Sequence, residues 1–135
     1  MTAIVPQTRV ATVQPKAVGD DETIVVFRVR KGDVILWMYA ILEIKVGGAS
    51  STELATIGDG VDPDGYGDNG DLDAEGTVGA IIPLAGPGVA TTNLHTVPKV
   101  YPADDTIDLI WDAGDAVAPN PKWKIFMGIL ESSRA

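Results

Sequence analysis

Residues 57–76 read IGDGVDPDGYGDNGDLDAEG, and seven of these twenty are acidic: Asp59, Asp62, Asp64, Asp68, Asp71, Asp73 and Glu75. The stretch also contains six glycines and no base. Carboxylates at this density could ligate a hard cation or share acid–base work. An EF-hand loop needs acids at its first, third and fifth positions, glycine at the sixth and glutamate at the twelfth. Asp71, Asp73, Glu75 and Gly76 meet the first four demands, but the twelfth position falls on Ile82 and no helical pattern flanks the loop. Only a looser calcium site survives, with Asp59, Asp62, Asp64 and Asp68 as its candidate ligands. General acid–base catalysis needs a carboxyl held out of water so that its pKa moves. Here the acids alternate with glycine, and Tyr66 is the one nearby side chain able to cover any of them. His95 is the only histidine. It lies in the polar stretch TTNLHT, which suits a surface or packing role better than that of a base. Neither a Gly-x-Ser-x-Gly elbow nor a phosphate-binding glycine motif occurs. The expectation is therefore no enzyme, no cofactor and no metal. A solvated structural loop accounts for the whole stretch: Asp and Asn cap their own turns, glycine supplies positive φ, and Pro63 fixes a bend.

Such a loop needs a scaffold. A chain of 135 residues with 45% hydrophobic content is long enough for one domain with its own core. The absence of cysteine excludes disulfides, thiolate metal sites and cysteine catalysis. The net charge of −9 repels phosphates, so neither nucleic acid nor an anionic membrane is an expected partner. The acids are unevenly spread: residues 1–18 contain Arg9 and Lys16 and no acid at all. That asymmetry predicts a segment that lies on something acidic, or on this protein's own acidic neighbour, with a short solvated tail as the plainer alternative. No basic region followed by an apolar run opens the chain, so no signal peptide is expected. The longest apolar-rich stretch, VILWMYAILEIKV, has 13 residues and includes Glu43 and Lys45, too short and too charged to span a bilayer. These features predict a soluble protein made in the cytoplasm of its producer.

The hydrophobic pattern has a period of two throughout. TIVVFRVR (23–30) reads as a strand that carries Arg28 and Arg30 on one face with Ile24 and Val26, and Lys31-Gly32-Asp33 reads as a turn. In the strand that follows, Val34, Leu36, Met38, Ala40, Leu42, Ile44 and Val46 form a wholly apolar face, expected to meet the core. The opposite face starts with Ile35, Trp37, Tyr39 and Ile41 and ends with Glu43 and Lys45. Its apolar start exceeds what a small monomer should expose, so these four residues are the predicted oligomer interface. STELATI (51–57), TVGAIIPL (77–84) and TIDLIW (106–111) are further strands. KWKIFMGIL (122–130) places Trp123, Ile125, Met127 and Ile129 on one face and is expected inside a sheet. Residues 85–98 read as a loop or an irregular edge strand. Strands with long Gly/Asp/Pro loops and no amphipathic helix predict an all-β protein, a β-sandwich or a small barrel.

The order of these pieces is distinctive. FRVRKGDVILWMYAILEIKVGG is followed by TIGDGVDPDGY, a variable middle, KVYPADDTIDLIWD and the apolar KWKIFMGIL. Over residues 23–130 this resembles the capsid decoration (cement) proteins of tailed bacteriophages, with head-fibre and other small virion proteins similar. The resemblance implies a single β-sandwich, jelly-roll-like domain at 23–130, preceded by an extended N-terminal arm at 1–22 and followed by a polar tail at 131–135. It also implies a virion protein that binds the outside of an icosahedral head, often as a trimer. Its partners would then be the major capsid protein and its own copies. Taken from pattern alone, Ile4, Arg9, Val10, Val13 and Lys16 in the proline-punctuated arm are the expected capsid contacts, because an extended segment can add to a neighbouring sheet. A competing function from a different class is a carbohydrate-binding β-sandwich. There Trp37, Tyr39, Trp111 and Trp123 would form a sugar-stacking platform, and the acidic loop would hold calcium. Packing of those rings within the core and interfaces is the simpler explanation of their place in apolar strands.

Overall fold

Eight strands alternate with turns, and no helix occurs among the described residues of the computed structural model, which are 5–47, 53–67, 72–85 and 97–132. The strands are β1 (Pro6–Val13), β2 (Glu22–Val29), β3 (Val34–Ile44), β4 (Leu54–Gly58), β5 (Ile81–Ala85), β6 (Lys99–Val100), β7 (Asp105–Asp112) and β8 (Lys122–Leu130). They form two antiparallel sheets, one in the order β1-β8-β3-β5 with β6 also paired to β3, the other in the order β2-β7-β4. The fold is the expected all-β sandwich. The pairings β1 with β8, β2 with β7 and β3 with β6 are nested, as in a long antiparallel ribbon wound on itself.

The inner faces of the two sheets make the core. Ile35, Met38, Ala40 and Leu42 of β3, Trp123, Ile125, Met127 and Ile129 of β8, and Ile107, Leu109 and Trp111 of β7 are buried. The two indoles Trp111 and Trp123 meet edge to face across the sandwich, their centroids 6.2 Å apart. Full burial of each such side chain is worth about 1.5–3 kcal/mol. β8 sits between β1 and β3, which explains why it is the most consistently apolar strand.

Three expectations are corrected here. The described part of the segment 1–22 is not a free extended arm. Its residues Pro6–Val13 form β1, paired residue for residue with β8 from Pro6 opposite Leu130 to Val13 opposite Trp123. The prolines do not prevent this. Pro6 is the first residue of an edge strand, where a missing N–H costs little, and Pro15 lies beyond the strand's end. In β3 the alternation reverses at a bulge between Ile35 and Trp37. Ile35 is therefore fully buried, while Leu36 is only half-buried and does not belong to one uninterrupted core face. In β2 a bulge between Val25 and Phe27 does the same. Ile24 and Val26 pack on the core, Phe27 and Val29 are buried in it, and Arg28 and Arg30 point to water rather than sharing a face with Ile24 and Val26.

Candidate functional site

Residues 57–67 of the acidic loop form a folded hairpin rather than a solvated excursion. Beyond β4 the chain turns back, and the Tyr66 and Gly67 amides donate to the Ile57 carbonyl at 2.9 and 3.0 Å. One Asp59 carboxylate oxygen accepts the amides of Val61 and Asp62 at 3.1 and 2.9 Å, the self-capping turn foreseen for this composition. The other accepts the Tyr101 hydroxyl at 2.8 Å, and the Tyr101 and Tyr66 hydroxyls lie 2.7 Å apart. Because the Tyr101 proton goes to Asp59, Tyr66 donates to Tyr101. Asp59, Tyr66 and Tyr101 are all buried, which corrects the expectation that the whole loop stays in water. Burial pushes the Tyr66 and Tyr101 phenols well above the ordinary phenol range, and the Asp59 charge beside them pushes in the same direction. Downstream, Leu72 and Ala74 are buried as well, and the Trp123 indole N–H donates to the Leu72 carbonyl at 3.0 Å.

Both Asp59 oxygens thus accept hydrogen bonds from protein donors. Asp62 and Asp64 are half-buried in the turn, and Asp68 and His95 lie outside the described residues. No group of three or more His, Asp or Glu side chains that could hold a metal ion occurs among the described residues.

The outer face of the five-stranded sheet carries an apolar surface. Trp37, Tyr39 and Ile41 lie on it half-buried, joined by Phe126 of β8. The Trp37 and Tyr39 rings stack at 5.5 Å, and Tyr39 stacks on Phe126 at 4.8 Å. Strand register lines up Val10, Phe126, Tyr39 and Pro83 across four strands, with Ile41 opposite Ile81 in the next row. Val10 is 51% and Ile81 67% exposed. Trp37 lies flat over Gly128, where a β-carbon would come within 2.2 Å of the indole nitrogen. Of the four predicted interface residues, then, three share this face and Ile35 does not. Phe126 was within reach of sequence reasoning, since it alternates with Ile125 and Met127 on the face opposite the core.

The expected capsid contacts scatter. Val10 is on the apolar outer face, and the Lys16 side chain is exposed. Val13 is 2% exposed and belongs to the core, so it has no surface to offer a partner. Arg9 donates to the Arg28 carbonyl at 2.8 Å and to the Glu131 carboxylate at 2.5 Å, which ties the two edge strands β1 and β2 together. Ile4 lies outside the described residues. The proposed sugar platform also divides, because Trp111 and Trp123 are inside the sandwich while Trp37 and Tyr39 are outside.

No protein-family model and no curated protein matches this sequence. A solved structure does match in shape: a chain of the "Cyanophage Pam1 capsid asymmetric unit", with a TM-score of 0.65 over 94% of this chain and 85% of that one, at 14% identity. The two share a fold.

Proposed function

We propose that this chain is a non-enzymatic structural protein of a tailed-phage virion, attached to the outer surface of the capsid as a decoration or cement protein and assembled as a homotrimer. Its partners on this reading are the major capsid protein and its own copies, with no role for nucleic acid or membrane. The observation that carries it is the outer face of the five-stranded sheet, where Trp37, Tyr39, Phe126, Val10, Ile41 and Ile81 form a continuous apolar surface of the kind that marks a protein contact. The shared fold with a phage capsid chain supports the same reading. So does the nested strand pairing, which we take as a jelly-roll winding, an architecture common in viral capsid proteins.

The test is to mix the protein with undecorated capsids and image them. Occupancy at defined lattice positions, lost on Tyr39→Ala/Phe126→Ala, is the expected result. Capsids that stay bare at saturating protein would refute the proposal. The stacked, half-exposed rings Trp37, Tyr39 and Phe126 also suit a sugar, so a glycan array belongs beside the imaging. Specific glycan binding without capsid occupancy would establish the carbohydrate-binding reading instead.

A further inference from the structure

A second surface differs in kind from the apolar face. Where β1 and β2 meet at one side of the sandwich, Arg9, Arg28, Arg30 and Glu131 line an open cleft of about 370 Å³. Three guanidinium groups and one carboxylate leave a local charge of +2 on a chain whose net charge is −9. Arg9 is already engaged by Glu131 and the Arg28 carbonyl. Arg28 and Arg30 are exposed, and no described side chain pairs with either guanidinium. Arginine suits planar, bidentate recognition of carboxylates, and its charge is not lost at any ordinary pH.

The same sheet carries the opposite charge on its other side. β2 and β4 flank β7, and Val29 pairs with Asp105. The Gly60 amide, just past β4, donates to the Asp105 carboxylate at 3.2 Å. The turn Asp62-Pro63-Asp64 folds back over Gly58, where a β-carbon would come within 2.2 Å of the Asp62 carbonyl oxygen. The arginine cleft and the start of the acidic segment therefore flank the same end of β7, two strand spacings or about 10 Å apart. A positive edge and a negative edge at one height let neighbouring copies stand side by side in the same orientation. A contact between two different surfaces of one chain is heterologous, and it closes into a ring when the rotation fits.

We infer that the Arg9/Arg28/Arg30 cleft receives the Asp62-Pro63-Asp64 turn of a second copy of this chain, and that this charge contact sets the head-to-tail arrangement of the oligomer. This rests on the self-association in the proposed function and specifies its chemistry. The chain as a whole is negatively charged, so the contact also favours one relative orientation over others.

Sedimentation velocity measures it, with circular dichroism confirming that every variant is folded. The wild-type protein should assemble at about 20 mM salt and loosen towards about 500 mM, as exposed charge contacts are screened. Arg28→Glu/Arg30→Glu should weaken assembly by about tenfold or more, and Asp62→Lys/Asp64→Lys likewise. Combining the four changes should restore it, because the swapped charges again face each other. Arg28→Gln/Arg30→Gln and Asp62→Lys alone serve if a full swap fails to fold, and each should weaken assembly in the same direction. Assembly that ignores these changes would overturn the inference while leaving a trimer held by the apolar face intact. A wild-type protein that stays monomeric at low salt would overturn both, whereas capsid occupancy would still be judged by imaging. Binding of a poly-glutamate peptide to such a monomer would assign the cleft to another acidic chain and overturn the second copy as its occupant.

Discussion

At the scale of single residues, the chain of hydroxyls from Tyr66 through Tyr101 to Asp59 decides what the acidic loop is. Tyr101→Phe would take the Tyr101 hydrogen bond from a buried Asp59 oxygen, and such a loss costs about 1–3 kcal/mol, readable as a lower denaturation midpoint. The raised phenol pKa values have a direction in pH. The folded protein keeps protons on Tyr66 and Tyr101 where the unfolded chain would release them, above a pH of about 10. Stability is thus unaffected by these groups below that pH and falls as pH rises above it. Absorbance at 295 nm should show the two phenols ionising together with the loss of the β-sheet signal. Ionisation of both in a sheet that remains folded would contradict the burial. A second residue-scale test is Gly128→Ala, which must push Trp37 off its seat. Overpacking of this kind costs about 1–3 kcal/mol, and the near-ultraviolet dichroism of the stacked rings should change with it. Tyr66 could be singled out in the sequence as the one cover for the acids. Tyr101 could not, because it lies 35 residues away and only the winding of the chain brings it near.

At the scale of elements, alternation gave the strands and misplaced some of their faces. A period of two is a local property, whereas a bulge is set by the partner strand. The reversals at Ile35/Trp37 and Val25/Phe27 answer to β8 and β7 and leave no mark in the sequence of β3 or β2. The same limit explains β1. PQTRVATV has the β-branched residues of a strand, but what makes it one is β8, more than a hundred residues on. Deleting residues 6–13 should therefore cripple the fold rather than trim a tail. It strips the edge of β8, removes the Arg9 tie between the sheets and empties the Val13 site, whose burial alone is worth about 1.5–3 kcal/mol. Circular dichroism of the truncated chain should show a much reduced melting temperature or no folded state, and an unchanged melting curve would restore the free arm.

For the whole molecule, the all-β class, the single sandwich and the interior place of β8 were legible because they follow from composition and from one long apolar strand. The surface was less legible. Which of the four aromatic candidates face water depends on how two sheets close over each other, and Trp111 and Trp123 became core only through that closure. The donors around Asp59 lead to a further expectation: a chelator should leave the melting temperature unchanged. A fall of several degrees would mean that a bound ion stabilises the folded state.

The nested pairing also governs when this protein can fold. β8 lies between β1 and β3, so the centre of the larger sheet is missing until residue 130 has left the ribosome. Until then β1 has no partner strand, and the inner faces of β1 and β3 must stay dissolved or be held by chaperones. Closure brings together segments more than a hundred residues apart, and chains dominated by such distant contacts fold in milliseconds to seconds rather than microseconds. A nascent chain stalled anywhere before Lys122 should remain protease-sensitive along its whole exposed length, then become resistant in one step once β8 is free.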